Sequence, residues 1–293
     1  MYLNQRIEEL IAKYPDARSS VGKVILEQME SIPDLSIQDL ADLACVSKAT
    51  IVRFAKSLGY DGWKEFRRAL SAEIARLQND QNSLDVNYPF QAGQGDEEII
   101  HSIEQLRIQT LERTTALLDV DMVRRIVNLM VRANRIIIFC VSPHIYSAGL
   151  FARKMMTIQK PVTVCAAREM GITARTMNSR DLAIIISYAG NNPETEPMKV
   201  SRYLLDHKIP TAVITSQGRN YLHDLFSNVL EIPAEEHLYT KIATFSTEEA
   251  VGFLLDVLFA CFFSRNYEEH NASKIQSAAF LENRRSNQVH IPD

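Results

Sequence analysis

No two of the four cysteines, Cys45, Cys140, Cys165 and Cys261, stand close enough to form a Cys-x-x-Cys pair, and each lies in an apolar stretch. Buried free thiols are therefore expected, not metal ligands or redox partners. Glycine and proline are also scarce, ten of each in 293 residues, which excludes a collagen-like or linker-dominated chain. The first thirty residues carry charge throughout and no long apolar run, so no secretory leader is expected. The most lipid-like stretch, Val251 to Phe263, is short and interrupted by Asp256, which argues for a buried helix and against a membrane partner. A Walker loop, a nucleophile elbow and a cluster with metal-ligand spacing are all missing, so neither metal nor cofactor is expected, and the location is expected to be cytoplasmic. The net charge of −4 excludes a uniformly basic nucleic-acid coat but leaves room for a local basic face.

What is present is enough for a real core: 46% apolar and 23% charged residues, a length that suits one large domain or two ordinary ones. The texture changes along the chain. From Ile7 to about Leu77 the periodicity is that of short helices. Asp80 to Asp96 is polar, holds Pro89, Gly93 and Gly95, and reads as a linker. Two amphipathic helical stretches follow, Glu97 to Leu117 and Asp119 to Ala133, the second opened by Asp119 or Asp121 as N-cap. Beyond them, β-rich runs at 135–142, 162–166, 182–187, 211–215 and 228–232 alternate with helical segments. Runs apolar on both faces mark a parallel sheet covered on both sides. The expected fold is thus an all-α helix-turn-helix domain followed by an α/β doubly wound parallel-sheet sandwich. The expected boundaries are 1–78 for the helical domain, 79–106 for the linker and start of a connecting helix, and 107–293 for the sandwich.

Ser36 stands at an N-cap position with Asp39 three residues on, near the positive end of the helix dipole. Ile37, Leu40, Ala41 and Ala44 then share one face. A turn, Cys45-Val46-Ser47, lets Val46 plug the angle between two helices and Ser47 cap the second. In that second helix Ile51, Phe54, Ala55 and Leu58 take the packed face, and Gly59 supplies the left-handed residue that ends it. Lys48, Ala49, Thr50, Arg53 and Lys56 remain at or near the other face. Small residues near the helix N-terminus permit close approach to base edges, and Arg53 is long enough for a bidentate contact to guanine. From Cys45 to Arg68 the bases Lys48, Arg53, Lys56, Lys64, Arg67 and Arg68 outweigh Asp61 and Glu65, a net +4 suited to phosphates. The candidate DNA-binding set is Ser47, Lys48, Ala49, Thr50, Arg53, Lys56, Lys64 and Arg67.

The segment VSKATIVRFAKSLGYDGWKEFRRAL (46–70) resembles the N-terminal helix-turn-helix of the RpiR family of bacterial transcription regulators. There V-S-x-A-T-(I/V)-x-R-(F/L) opens the recognition helix and L-G-(F/Y)-x-(G/S)-(F/W/Y)-x-(E/D)-(F/L) follows it. The resemblance implies binding to double-stranded operator DNA. It also implies a C-terminal SIS (sugar isomerase) domain that senses a phosphorylated sugar and pairs chains into a homodimer or tetramer.

DLAIIISYAGNNPET (181–195) is similar to the phosphate-binding loop of that domain, D-(L/V)-x(3)-(I/V)-S-x-S-G-x-T-x-E. Backbone N–H groups and small hydroxyls at a strand-to-helix junction form an anion nest. Ser187, Gly190 and Glu194 keep the pattern, whereas Ala189 stands where Ser is usual and Asn192 where Thr is usual. Cys140-Val141-Ser142-Pro143-His144 takes the place of the family's G-x-G-x-S, so Ser142 replaces a glycine and His144 a serine. Either the pocket has been retuned, with Ser142, His144, Ser187, Asn191 and Asn192 reading a different phosphorylated or acidic ligand, or it only holds a dimer together. The first is favoured because Asn and His are hydrogen-bonding groups and not apolar fillers. Thr215-Ser216-Gln217 ends the fourth strand and is expected to face the same crevice. Ser246 or Thr247 is expected to cap the long apolar helix, with Glu248 where regulators of the family often have Arg. The candidate effector set is Ser142, His144, Ser187, Gly190, Asn191, Asn192, Thr215 and Glu248.

Isomerases built on this domain need a positioned general base, for which Glu248, Glu249, His144 and His237 are the nominees. The weakened phosphate anchor argues against catalysis, and a regulator is expected. A sugar-phosphate isomerase or lyase, and a regulator whose SIS domain only dimerises, remain the alternatives.

Overall fold

The computed structural model describes residues 3–78 and 84–286, so the start of the expected linker (80–83) and the extreme tail lie outside the described residues. The helices of the first part are α1 (Leu3–Lys13), α2 (Ala17–Glu27), α3 (Ile37–Leu43), α4 (Lys48–Ser57) and α5 (Trp63–Gln78). Then follow α6 (Asp96–Leu117), α7 (Val120–Arg132), β1 (Ile136–Phe139), α8 (His144–Met156), β2 (Val162–Val164), α9 (Met170–Arg175) and β3 (Leu182–Ile186). The chain continues through α10 (Ser201–Asp206), β4 (Thr211–Ser216), α11 (Tyr221–Leu225), β5 (Val229–Ile232), α12 (Phe245–Ser264) and α13 (Tyr267–Ser286).

Two compact units result: Met1–Leu106 with Ala234–Ala243, and Arg107–Pro233 with Thr244–Asp293. Segment 234–243, which the sequence reading leaves inside the sandwich, thus packs with the helical unit. Three buried side chains hold it there. Gln5 Nε2 donates to the carbonyls of Ala234 (2.9 Å) and Glu236 (3.2 Å). The Glu8 carboxylate accepts from the Leu238 amide (2.5 Å) and the Thr240 hydroxyl (2.7 Å). Asn87 accepts from the His237 amide at 2.6 Å and donates to Glu235 O at 3.3 Å. A hydrogen-bonding pattern spread over such distant residues leaves no periodic trace in the sequence.

The core of the helical unit gathers Ile7, Val21, Ile25, Leu40, Ile51 and Phe54, all fully buried. Each such side chain contributes about 1.5–3 kcal/mol through the water it leaves. Phe66 receives Phe54 edge-on at 5.6 Å and Tyr60 at 5.6 Å, so α5 and the turn before it brace the underside of α4.

In the second unit the sheet is fully parallel, in the order β2-β1-β3-β4-β5. Ile137, Phe139, Ala183, Ile185 and Val213 enter a core with Met170, Leu204 and Leu222 from α9, α10 and α11. The alternate residues Ile136, Ile138, Ile184 and Ile214 are buried too. Strand periodicity turns them to the opposite face, and α7 and α8 both pack with α12. Chain order reverses direction between β1 and β3, and such a switch point opens a crevice beyond the strand ends.

Candidate functional site

Ser36 accepts from the Asp39 amide (3.2 Å) while Asp39 accepts from the Ser36 amide (2.9 Å), the reciprocal box expected from the sequence. These bonds from Ser36 hold the Asp39 carboxyl below its ordinary range. The turn after α3 carries the Val46 amide back to Ala41 O (2.8 Å) and the Cys45 amide to Asp42 O (3.1 Å), with Cys45 itself at φ +53°. At the end of α4 the same motif recurs, Tyr60 to Ala55 O (3.1 Å) and Gly59 to Lys56 O (2.9 Å), with Gly59 at φ +82°. The tight turn and its sharp stop fix α4 as a short, braced rod.

On that rod Ser47 accepts from the Thr50 amide at 3.2 Å and so caps the helix. Ser47, Lys48, Ala49, Arg53 and Lys56 are exposed, as is Lys64 on α5, and Arg67 is half-buried. Thr50 departs from the expectation. It is 6% exposed, and its hydroxyl meets Ser47 Oγ at 3.0 Å and accepts from Arg53 Nη2 at 3.2 Å. Thr50 therefore orients Arg53 from below instead of presenting its own side chain. Lys64, Arg67 and Arg68 border an open depression of about 1080 Å³ with Asp34, Asp61 and Glu65.

The cysteine expectation holds for Cys140 and Cys165 but not for the other two. Burial pushes the Cys140 thiol up to about 12. Cys45 is exposed because the left-handed turn points it outward, and Cys261 is half-buried.

In the second unit, the loop after β3 turns at Gly190, φ +62°, whose amide donates to Ser187 Oγ at 3.3 Å. Asn191 Oδ1 accepts from the Tyr221 amide (3.2 Å), and Gly190 O accepts from the Leu222 amide (3.2 Å), so the loop is tied to α11. Asn192 is exposed and folds back to accept from the Glu194 amide at 3.0 Å. Ser142 is exposed after β1, and His144, 6% exposed, is the first residue of α8. Ser142 and His144, between β1 and the first turn of α8, and Ser187 through Asn192, after β3, thus flank the switch point.

Thr215 and Glu248 are placed differently from expectation. Thr215 is fully buried, donates to Tyr188 O at 3.3 Å and accepts from Asn220 Nδ2 at 3.0 Å, so its hydroxyl supports the loop from beneath. Glu248 is exposed, and its carboxylate accepts from the Thr244 hydroxyl. Ser246 and Thr247 are not caps: α12 starts at Phe245 with Thr244 before it, both residues are buried, and Ser246 accepts from Thr110 at 3.1 Å. Of the nominated bases, Glu249 faces Arg107 at 3.5 Å, and His237 belongs to the first unit, where its Nδ1 lies 2.8 Å from Thr240 Oγ1.

Asn220 is the residue the sequence reading misses. It is 3% exposed, caps α11 through the His223 amide (3.2 Å), and bonds Thr215 and Ser216 O. Its signal was an Asn opening a short apolar helix just after a strand. His223 continues the chain, with Nδ1 at 2.9 Å from Asn220 Oδ1 and Nε2 at 3.0 Å from Glu231, whose carboxyl this histidine holds below its usual range. At the carboxyl end of β4, Ser216 Oγ is buried without a hydrogen-bond partner among the described residues. Among those residues, no helix is long and apolar enough to cross a membrane and no cluster of His, Cys, Asp or Glu is placed to hold a metal.

The comparisons with known proteins bear on both units. Residues 1–77 match the helix-turn-helix domain of the rpiR family, and residues 129–261 match the SIS domain. An uncharacterised HTH-type transcriptional regulator of Haemophilus influenzae is 24% identical over 257 residues, 87% of this chain and 88% of its own length. YfhH, an uncharacterised HTH-type regulator of Escherichia coli, is 28% identical over 269 residues, 90% of this chain and 92% of its own. Among solved structures, Vibrio vulnificus NanR, complexed with ManNAc-6P, superposes with a TM-score of 0.60 at 21% identity, covering 95% of this chain and 98% of NanR. With a DNA-binding helix-turn-helix at one end and a SIS sandwich at the other, the chain belongs to the RpiR family of transcriptional regulators.

Proposed function

We propose that the protein regulates sugar or amino-sugar genes in response to a phosphorylated sugar taken up at the switch-point crevice of its second unit, and that it performs no catalysis. The observation that carries this reading is the Gly190 loop. It lies at the carboxyl end of a parallel strand, is built around a left-handed glycine, and is underpinned by Asn220 and Thr215. Ser142, His144, Ser187, Gly190, Asn191 and Asn192 are the proposed ligand-facing set; Thr215 acts through the loop. NanR supplies the first ligand to try, the phosphorylated amino sugar N-acetylmannosamine 6-phosphate. A sensor is favoured over an enzyme because His144 stands at the switch point without the other nominated bases: Glu248 and Glu249 are engaged by Thr244 and Arg107, and His237 lies in the other unit.

The reader is residues 1–78, the connection 79–106 and the sensor 107–233 with 244–293, segment 234–243 going with the helical unit. Ser47, Lys48, Ala49, Arg53, Lys56, Lys64 and Arg67 face operator DNA, with Thr50 holding Arg53. Pairing of two chains is supported by Tyr146 and Leu150, one turn apart on α8 and 70% and 62% exposed. Ligand closure of the crevice then alters the separation of the two reading helices, which sets half-site spacing. Segment 234–243 offers a covalent route for that change, since it is held by Glu8, Gln5 and Asn87 in the first unit while both its ends run into the second.

A thermal-shift screen of the full chain against phosphosugars tests the sensing role. At least one, N-acetylmannosamine 6-phosphate first, should raise the melting temperature, and Asn192→Ala should diminish the shift. No shift with any phosphosugar would reject sensing and leave the sandwich as a pairing device.

A further inference from the structure

The recognition helix does not face its groove alone. Asp16, Ala17 and Arg18, at the start of α2, share a cavity of about 370 Å³ with Thr50 and Arg53 of α4. Two guanidinium groups border it, and the carboxylate of Asp16 offsets one of them.

Arg18 is held rigidly. Its Nε donates to Asp16 Oδ1 at 3.0 Å and its Nη2 to Asp16 Oδ2 at 2.6 Å, and its guanidinium lies 3.6 Å from the centroid of the Tyr14 ring. Tyr14 in turn packs on the core of the unit. The Asp16 side chain also accepts from the Arg18 amide at 2.9 Å, and bonding to Arg18 brings its carboxyl down to about 2, so the buttress stays charged at any working pH. The fork edge formed by Nε and Nη2 is spent on Asp16, so Arg18 meets a ligand from the opposite, Nη1 side. A guanidinium seated over an aromatic ring and bonded at its base to a carboxylate has little reach. It suits the rim of a groove, where phosphates lie, and not the floor, where bases are read.

We propose that Arg18 is a DNA-phosphate clamp beside the reading helix and that Asp16 is the residue that positions it, so that Arg18 and Arg53 grip one stretch of duplex through backbone and base respectively. This rests on α4 being the reading helix. The competing account is that Asp16 and Arg18 are only a capping ion pair of α2, since Asp16 does cap that helix.

The two accounts differ in sign for one substitution. A carboxylate beside a phosphate site repels DNA, so if it positions nothing, Asp16→Asn tightens binding. If it fixes the clamp, Asp16→Asn weakens binding although a repulsive charge has gone. The experiment is fluorescence anisotropy of the full chain on a duplex it selects from a random library, across a salt series. Arg18→Ala is expected to lose roughly tenfold in affinity, evenly over duplex sequences, and to lower the salt slope by about one. Arg18→Lys, which keeps the charge without the planar fork, should recover the slope but only part of the affinity. Wild-type affinity in Arg18→Ala, or tighter binding by Asp16→Asn, would overturn the proposal. Arg53→Ala is measured beside them. If it alone binds as wild type, the base-reading role of α4 fails while the clamp stands, and a wild-type chain that retains no duplex defeats both.

Discussion

Gly190 lies so close to Asn220 that a Cβ on the glycine would meet Nδ2 of the asparagine at 2.8 Å, and Thr215 Oγ1 at 2.5 Å. Neither neighbour is a loose chain end, because both are buried and bonded to each other. The positive φ of Gly190 adds to the clash. Gly190→Ala should therefore destabilise the second unit by about 2–4 kcal/mol, read as an earlier denaturant midpoint of that unit. A midpoint equal to wild type would mean that the loop is free to move off Asn220.

Cys45 and Gly59 occupy equivalent positions, each the left-handed residue that ends a helix of the reading pair. A Cβ is tolerated at the first position at the expense of strain, and the second avoids it. Cys45→Gly should stabilise the helical unit by about 0.5–1 kcal/mol, and Gly59→Ala should destabilise it by about 1 kcal/mol. Thermal melts of the two variants check this; shifts of the same sign would contradict it.

Much of this architecture was legible beforehand, for identifiable reasons. Strand runs such as RIIIFCVS and LAIIIS are apolar on both faces, which only a covered parallel sheet accommodates. The reading helices announce themselves through short-range signals: Ser36 with Asp39, Ser47, and Gly59. What escaped depends on residues distant in sequence. Thr50 looked exposed on a helical wheel but is covered by its bonds to Ser47 and Arg53. Thr215 is turned under the loop after β3, where it bonds Tyr188 O and Asn220. The hold of Glu8 on Leu238 spans the length of the chain and has no periodic signature.

Asp39 gives the helical unit a defined acid sensitivity. Its carboxyl is held below the ordinary value by the Ser36 hydrogen bonds, so the folded state binds its proton more weakly than the unfolded chain does. The resulting stabilisation is complete above the unfolded value and fades as pH falls through the lowered one. The difference in melting temperature between wild type and Asp39→Ala should accordingly be full at neutral pH and shrink on acidification. A difference that grows toward acid would contradict this sign.

Tyr146 and Leu150 expose apolar area on one face of α8. If that face joins two copies, the double substitution Tyr146→Asp with Leu150→Glu should convert the assembly to monomers in sedimentation, with the fold of each unit retained by circular dichroism. An assembly unchanged by both charges would move the pairing surface elsewhere.

The most direct test is anisotropy of the full chain on its selected duplex, with and without saturating N-acetylmannosamine 6-phosphate and related phosphosugars. The prediction is salt-sensitive binding that Arg53→Glu abolishes and that at least one phosphosugar shifts by roughly fivefold or more, in the range usual for coupled sites. Binding that ignores salt and the charge at position 53, or that no phosphosugar changes, would contradict it.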